Sequence, residues 1–496
     1  MSNSQSQPEH YDLCIVGAGI GGLNALYVAS QYLTSDQRVV LIDRRDRVGG
    51  MWVNTYDYVR LHQPHPFFTT GNVKWTFDEE RSHLASKTEV LDHFQHCVNE
   101  AKKNVGVSEL LGHEMVDIEE SGDAVRVTCR SGDGTVSTIT ADQVINAAAL
   151  DVDALQPLAL SSSQVRSVSP ETCDMRTGEI AGDSNPVWVI GSGKTGMDTA
   201  HTLITHQPGR EVNLVAGTGS FFMSRDRMFP NGTRRWLGGV RPNHALTAMA
   251  DRFDGTNELE VFDWMRDKYG TGPISQAQHF FLGALSEAES TRIRGGLNKV
   301  VMDHLVDVVD APDGEGGVRI QMRKGSPIDI APGSWIVNCT SHFVSRARTE
   351  APYVSASGRV VTIGLKGMFG FTSFGGYFLT HLLYAGKLRE VPLYEADGNA
   401  LISKSVPATV LASLALTQYN LGLAFDHLPA KVFKDFGLDF DLWYPAPRRL
   451  VGQLKFVARH KRQREHYRRS LDTLGERFGV HIGPAVEGRS VTTKAL

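Results

Sequence analysis

The chain has 496 residues, ample for two or three domains with a large core. Its 51 Lys and Arg against 55 Asp and Glu leave a net charge of −4, which gives no sign of a nucleic-acid partner or an anionic membrane. The five cysteines, Cys14, Cys97, Cys129, Cys173 and Cys339, are widely spread and form no CxxC pair, which argues against a redox-active dithiol, a metal cluster or a disulfide framework and fits a reducing, cytoplasmic setting.

The first ten residues are polar and leave no room for an apolar leader before the first strand. That strand, 13–16, runs into Gly17-Ala18-Gly19-Ile20-Gly21-Gly22, a helix-compatible segment follows, and a second apolar run, 39–42, ends on Asp43. Strand, glycine turn, helix, strand and acid each have a task in holding a dinucleotide. Gly17 permits the tight turn, Gly19 admits a pyrophosphate to the backbone, and Gly22 lets the helix pack on the sheet. The helix N-terminus offers free N–H groups and the positive end of its dipole. Asp43, with Arg44 beside it, is placed at the ribose of an adenosine, and its carboxylate would repel a 2′-phosphate, so this site suits FAD or NAD and not NADP.

The continuation Arg47-Val48-Gly49-Gly50-Met51-Trp52 resembles the two-dinucleotide flavoproteins, in which a glycine pair after the acid lets the backbone run beside the flavin's phosphate and ribitol. The resemblance implies FAD in the first site, with Gly50, Met51 and Trp52 among its contacts. Residues 53–66 are too rich in proline and aromatics for a helix. Tyr56-Asp57 and Leu61-His62-Gln63-Pro64 resemble the flavin-containing monooxygenases, especially the plant indole-pyruvate type, where such patterns follow Gly-Gly-x-Trp. An Asn that lies near the reactive face of the flavin in many of those enzymes has its nearest equivalent in Gln63, a departure. The resemblance implies catalytic roles for Gln63, His62 and Trp52, with His62 also at the cofactor. The alternative is that His62, Gln63 and His65 hydrogen-bond within a rigid proline loop.

Residues 88–102 have helical spacing with Thr88 as the cap, 125–129 and 136–140 read as a hairpin, and 144–149 as a buried strand. This strand ends in Ala147-Ala148-Ala149, where the resembling flavoproteins carry Ala-Thr-Gly. A second dinucleotide signal follows: a strand over 187–190, then Gly191-Ser192-Gly193-Lys194-Thr195-Gly196 and a helix to about residue 206. A P-loop fails on spacing, because its first glycine would fall on Trp188. Two such units in one chain are what a flavin fed by a nicotinamide nucleotide requires. Gly191, Gly193, Lys194, Thr195 and Gly196 are the expected contacts of the second. The strand over 211–215 ends in Ala216-Gly217-Thr218, with neither the Arg of an NADP site nor the acid of an NAD site. Lys194, Arg225 and Arg227 are the candidate cations for a 2′-phosphate, and resemblance favours NADPH, with NADH as the alternative.

Residues 221–305 form an aromatic- and Arg-rich insertion with helical pieces at 259–268 and 286–294, a substrate lid or a structural subdomain. Strands are expected at 318–322 and 335–339, the second ending Asn338-Cys339-Thr340-Ser341-His342. Residues 358–363 lead into a glycine-rich run, Gly367-Met368-Phe369-Gly370-Phe371-Thr372-Ser373-Phe374, and an apolar helix to about 388. This resembles the C-terminal flavin segment, whose helix N-terminus faces the flavin's pyrimidine carbonyl, with Thr372 and Phe374 at the cofactor; a glycine turn before a core helix is the plain alternative. The longest apolar stretch, 406–425, carries Ser413, Thr417, Gln418 and Asn420 and is expected to be a buried or interfacial helix, not a membrane span. Residues 455–469 are strongly basic, with Leu454, Val457, Tyr467 and Leu471 as inward positions; a solvated helix face is the default, a homodimer contact the alternative.

The expected fold is α/β: two Rossmann-like doubly wound dinucleotide-binding domains with a helical insertion and a helical C-terminal extension. The expected boundaries are 1–165 and 341–390 for the FAD domain, 166–340 for the NAD(P) domain with its insertion, and 391–496 for the extension. The resemblance to flavin-containing monooxygenases covers 11–388. It implies a flavin-dependent monooxygenase that uses NAD(P)H and O2, forms a C4a-(hydro)peroxyflavin and oxygenates a small organic substrate at N, S or activated C. Residues 165–171 lack the Phe, Gly and His of that family's Phe-x-Gly-x-x-x-His fingerprint. An NAD(P)H oxidoreductase or oxidase without oxygen insertion is therefore the second reading, and a degenerate fold that binds FAD or a partner and catalyses nothing the third.

Overall fold

A computed structural model describes residues 8–148, 154–280, 282–311, 317–340, 353–364, 366 and 371–485. Ala149, Ser341, His342 and the run 367–370 lie outside them.

The chain opens with β1 (Glu9–Val16), α1 (Ile20–Tyr32) and β2 (Arg38–Asp43), then α2 (Lys87–Ala101), β3 (Gly106–Leu111), β4 (His113–Ser121), β5 (Ala124–Ser131) and β6 (Val136–Asn146). They form a sheet in the order β3-β2-β1-β6-β5-β4, parallel from β3 to β6 and antiparallel beyond. The strand periodicity of two assigns the faces. Leu13, Ile15, Val39 and Leu41 join the core shared with α1 and α2, while Cys14, Val16, Val40 and Ile42 pack with Val125, Val127 and Cys129 of the meander. Sequence reading split β6 in two; it is one strand, whose first half pairs with β5 and whose end pairs with β18 (Val360–Thr362), returning from far along the chain. The α2 cap is Ser86 and not Thr88. Ser86 and Glu89 form a capping box that satisfies two donors at once, which Thr88, already inside the helix, does not offer.

A second sheet is fully parallel: β7 (Arg166–Val168), β8 (Val187–Ile190), β9 (Val212–Val215), β13 (Lys299–Val301) and β17 (Trp335–Asn338), in the order β13-β9-β8-β17-β7, with α3 (Lys194–His206) after β8. It repeats the scheme of the first. Val187, Val189, Leu214 and Val337 face the main core; Trp188, Ile190, Val215 and Ile336 face the antiparallel sheet of β14 (Leu305–Asp310), β15 (Val318–Met322) and β16 (Ile328–Ile330). Residues 299–301, read as part of the insertion, are thus a strand of this sheet. Between β9 and β13 lie β10 (Phe222–Ser224), α4 (Arg225–Met228), α5 (Arg234–Leu237), α6 (Pro242–Arg252), α7 (Glu258–Tyr269), β11 (Gly270–Thr271), β12 (Ala284–Leu285) and α8 (Glu287–Gly296).

After β18 come α9 (Thr372–Tyr384), β19 (Tyr394–Ala396), α10 (Gly398–Lys404), α11 (Val406–His427), α12 (Ala430–Lys434), α13 (Ala446–Phe478) and β20 (Ile482–Pro484), which pairs with β19. α9 lies directly on α1, since a β-carbon at Gly376 would overlap the Gly21 carbonyl oxygen. α11 is, among the described residues, the one helix long and apolar enough to cross a membrane, and 83% of that stretch is buried inside the fold against α6 and α13.

Candidate active site

The two glycine motifs adopt one geometry. Gly17 has φ +102° and Gly191 φ +107°, a region costly for any side chain, and each turn abuts a neighbouring strand end: a β-carbon would sit 3.0 Å from the Ala147 carbonyl in the first and 2.8 Å from the Cys339 oxygen in the second. Gly22 and Gly196 occupy matching places, where a β-carbon would overlap the carbonyl oxygen of Gly17 or Gly191. Small residues at 147–148 therefore suffice at the first crossing.

Both helices start bare. Gly19 caps α1 and Gly193 caps α3 with no side-chain hydrogen bond and no acid in the first turn, and the space beside Gly193 is open. Unpaired N–H groups with the positive dipole end behind them suit a pyrophosphate. Asp43 is buried at the end of β2, accepting from the Ala18 N–H at 2.7 Å and the Arg45 N–H at 2.9 Å, which leaves further lone pairs for ribose hydroxyls. Arg44 next to it is half-buried. The glycine pair closes on the first motif: the Gly49 N–H bonds to the Ala18 carbonyl at 3.0 Å, and a β-carbon at Gly50 would come within 2.7 Å of the Gly19 α-carbon. Gly50, Met51 and Trp52 then form a short 3-10 turn, with Met51 exposed and Trp52 against Phe68 at 5.5 Å between rings. Thr372 starts α9 beside Gly21, and Phe374 packs on Phe371 and Phe436.

The loop after Trp52 reaches the second motif. Tyr56 donates to Asp198 Oδ2 at 2.7 Å, and Tyr58 bonds to Thr199 Oγ1 at 2.9 Å and to the Pro170 carbonyl at 2.8 Å. Burial, and then the Asp198 carboxylate, push the Tyr56 phenol well above its ordinary range, so it remains a donor. Sequence reading gives neither tyrosine a role of its own, for their partners lie 112 to 142 residues away. His62 is not held within its own loop: its Nδ1 accepts the Ala284 N–H at 3.1 Å, which fixes the proton on Nε2. Burial, with Lys194 and Arg225 nearby, pushes its pKa down to about 3, so the ring is neutral. His65 does bond within the loop, to the His83 carbonyl at 3.2 Å. Gln63 Oε1 is buried without a hydrogen-bond partner. A bare helix end, the close approach of Gly50 to Gly19 and an acid at the ribose position fit a flavin dinucleotide in the first site.

The three cations expected for a 2′-phosphate are all engaged elsewhere. Lys194 pairs with Asp198 on its own helix, Arg225 with Glu289, and Arg227 lies 3.8 Å from Glu287. Thr195 and Gly196 form the first turn of α3. At the end of β9, the Thr218 hydroxyl is buried and unpartnered, and the His304 ring abuts Gly217. The Arg323 N–H bonds to the His304 carbonyl and the Lys324 N–H to Asp303, which brings two exposed cations to this corner.

Residues 11–237, spanning both glycine motifs, match the family model described as pyridine nucleotide-disulphide oxidoreductase. An uncharacterised protein of Mycobacterium tuberculosis is 27% identical over 209 residues, 39% of this chain and 36% of that one, so the match spans little more than a third of the relative's length. Among solved structures, an oxidised steroid monooxygenase bound to NADP is 13% identical with a TM-score of 0.51, over 91% of this chain and 98% of that one. A cyclohexanone monooxygenase from Rhodococcus sp. Phi1 bound to NADP+ is 14% identical with a TM-score of 0.49, over 82% and 91%. The fold and its paired motifs define a class, the two-dinucleotide-binding architecture, and residues 11–237 are similar to the oxidoreductases of the matched family.

Proposed function

We propose that the chain is an FAD-dependent, NAD(P)H-driven monooxygenase, which inserts one atom of O2 into a small organic substrate at nitrogen, sulfur or an activated carbon and releases the other as water. The observation that carries this reading is the loop from Gly49 to Gln63. It starts against the first bare helix end, is bonded to α3 through Tyr56 and Tyr58, and carries a neutral His62 and a buried, unpartnered Gln63 Oε1. Bound FAD supplies the hydride acceptance and the oxygen chemistry. The chain's residues do the rest. Gly17, Gly19, Gly22, Asp43, Arg44, Gly50 and Met51 hold the flavin dinucleotide, and Thr372 and Phe374 place the start of α9 at its ring. Gly191, Gly193, Lys194, Thr195 and Gly196 hold the nicotinamide nucleotide. Trp52, backed by Phe68, keeps water from the reacting face, while His62 Nε2–H and the Gln63 amide donate hydrogen bonds there. NADPH is the preferred donor in this reading, with Arg323 and Lys324 at its 2′-phosphate.

The reading as an NAD(P)H oxidoreductase or oxidase without oxygen insertion rests on one observation: β7 occupies the place of the fingerprint, and residues 165–171 lack its Phe, Gly and His. Turnover under ¹⁸O2 with candidate amines, sulfides and ketones separates the two. Label in the product supports the monooxygenase; NAD(P)H consumption with label only in peroxide or water refutes it.

A further inference from the structure

The first half of α13 carries a surface that the dinucleotide sites do not use. Arg448, Gly452, Phe456 and His460, four apart, dock the helix: Arg448 bonds to the carbonyls of Arg235 and Gly238, Gly452 lies under Arg241, Phe456 packs on Phe425, and His460 bonds to Asp426. The opposite face is apolar and open. Leu450, Val451, Leu454 and Val457 are each 51–60% exposed, contrary to the inward positions expected of Leu454 and Val457, whereas Tyr467 and Leu471 further along are buried as expected. The periodicity picked out the stripe, but two candidate faces shared it. Single exposed apolar side chains need no explanation; four in one stripe do.

The charge around the stripe is of one sign. Residues 446–464 contain no acid, and Lys455, Arg459, Lys461 and Arg462 are all exposed along or beside the apolar line. The net charge of −4 averages over this segregation. Two copies meeting through the patch would bring like-charged rims together, which disfavours a symmetric dimer there. A helix with leucine and valine on one line and cations on its flank suits the plane of an anionic bilayer, with the stripe in the acyl boundary and the cations at the headgroups.

We propose that the open apolar face of the first half of α13 docks reversibly on an anionic phospholipid surface. The test is co-sedimentation of the full chain with phosphatidylcholine vesicles with and without phosphatidylglycerol, at low and high salt. The chain is expected to pellet with the anionic vesicles and to be released by salt. Leu450→Ser/Leu454→Ser should lower the partition by well over tenfold, and Lys455→Gln/Arg459→Gln by about fivefold per charge. Circular dichroism and thermal unfolding establish that each variant is folded. Failure to pellet with either vesicle, or equal pelleting of the parent and the folded serine variant, overturns the proposal. So does a dimer in sedimentation velocity that Leu454→Ser converts to monomer, which would assign the patch to a second copy.

Discussion

Tyr56→Phe tests whether the loop between the glycine motifs aligns the hydride donor with the flavin. The substitution removes one atom, the hydroxyl that donates at 2.7 Å to a carboxylate shared with Lys194, and keeps the ring that packs against Tyr58 at 4.5 Å between centroids. A hydrogen bond to a charged group contributes about 1.5–3 kcal/mol, equivalent to roughly 10- to 150-fold in a rate or equilibrium that depends on it. Tyr58 still ties the loop to α3, and no flavin contact is touched, so the variant should purify as yellow as the parent. Anaerobic bleaching of the flavin by NADPH or NADH should slow by about 10- to 100-fold. Asp198→Asn, which neutralises the acceptor and also releases Lys194, should slow bleaching at least as much, and the double variant should be little worse than Asp198→Asn alone, because the Tyr56 hydroxyl has then already lost its charged acceptor. Parent-like bleaching in Tyr56→Phe, or fully additive losses, would refute the reasoning.

Gly22→Ala forces α1 away from the Gly17 carbonyl; stability should fall by at least about 1–3 kcal/mol in calorimetry, and bound flavin should be lost from the visible spectrum. Arg323→Ala/Lys324→Ala should weaken calorimetric binding of 2′,5′-ADP by about 10- to 100-fold without changing that of 5′-AMP; equal losses for both would remove these residues from the 2′-phosphate. Acid should destabilise the fold through His93, which is 2% exposed, stacked on Trp75 and held by burial down to about 3. The unfolded state takes up the proton below its ordinary value and the folded state does not, so stability is full above about pH 6.5 and is lost towards pH 3, at about 1.4 kcal/mol per unit, or about 2 kcal/mol by pH 5. Urea unfolding of His93→Gln at pH 7 and 5 should show a correspondingly shallower loss.

The glycine motifs were legible because their geometry leaves little choice: a left-handed turn and a helix start touching a carbonyl oxygen each admit only glycine, so Gly17, Gly22, Gly191 and Gly196 announce themselves. Local patterning likewise placed α7 and β15. What the sequence concealed is everything carried by distance. The pairing of β18 with β6, the return of β13 beside β9, and the bonds of Tyr56 and Tyr58 to α3 join segments with no shared periodicity. Resemblance singles out Gln63 and His62 as candidates, but that His62 is anchored by the insertion through the Ala284 N–H has no local sequence signal.

The cysteines constrain where the electrons go. The matched family's description names a disulphide, and relay through one requires a thiolate that a partner can reach. All five thiols here are free and buried. Burial raises each of the two nearest α3: Cys339, also close to Thr199, is pushed up to about 12, and Cys173 is driven strongly in the same direction. Neither ionises at neutral pH, and neither has a second thiol beside it in sequence. In the proposed reading, electrons that arrive through the second nucleotide motif find no thiol relay among these buried cysteines. The exit that this reading proposes is a small molecule meeting the flavin across the loop that carries a neutral His62 and Gln63, and it is there that oxygen insertion and simple electron transfer would part company.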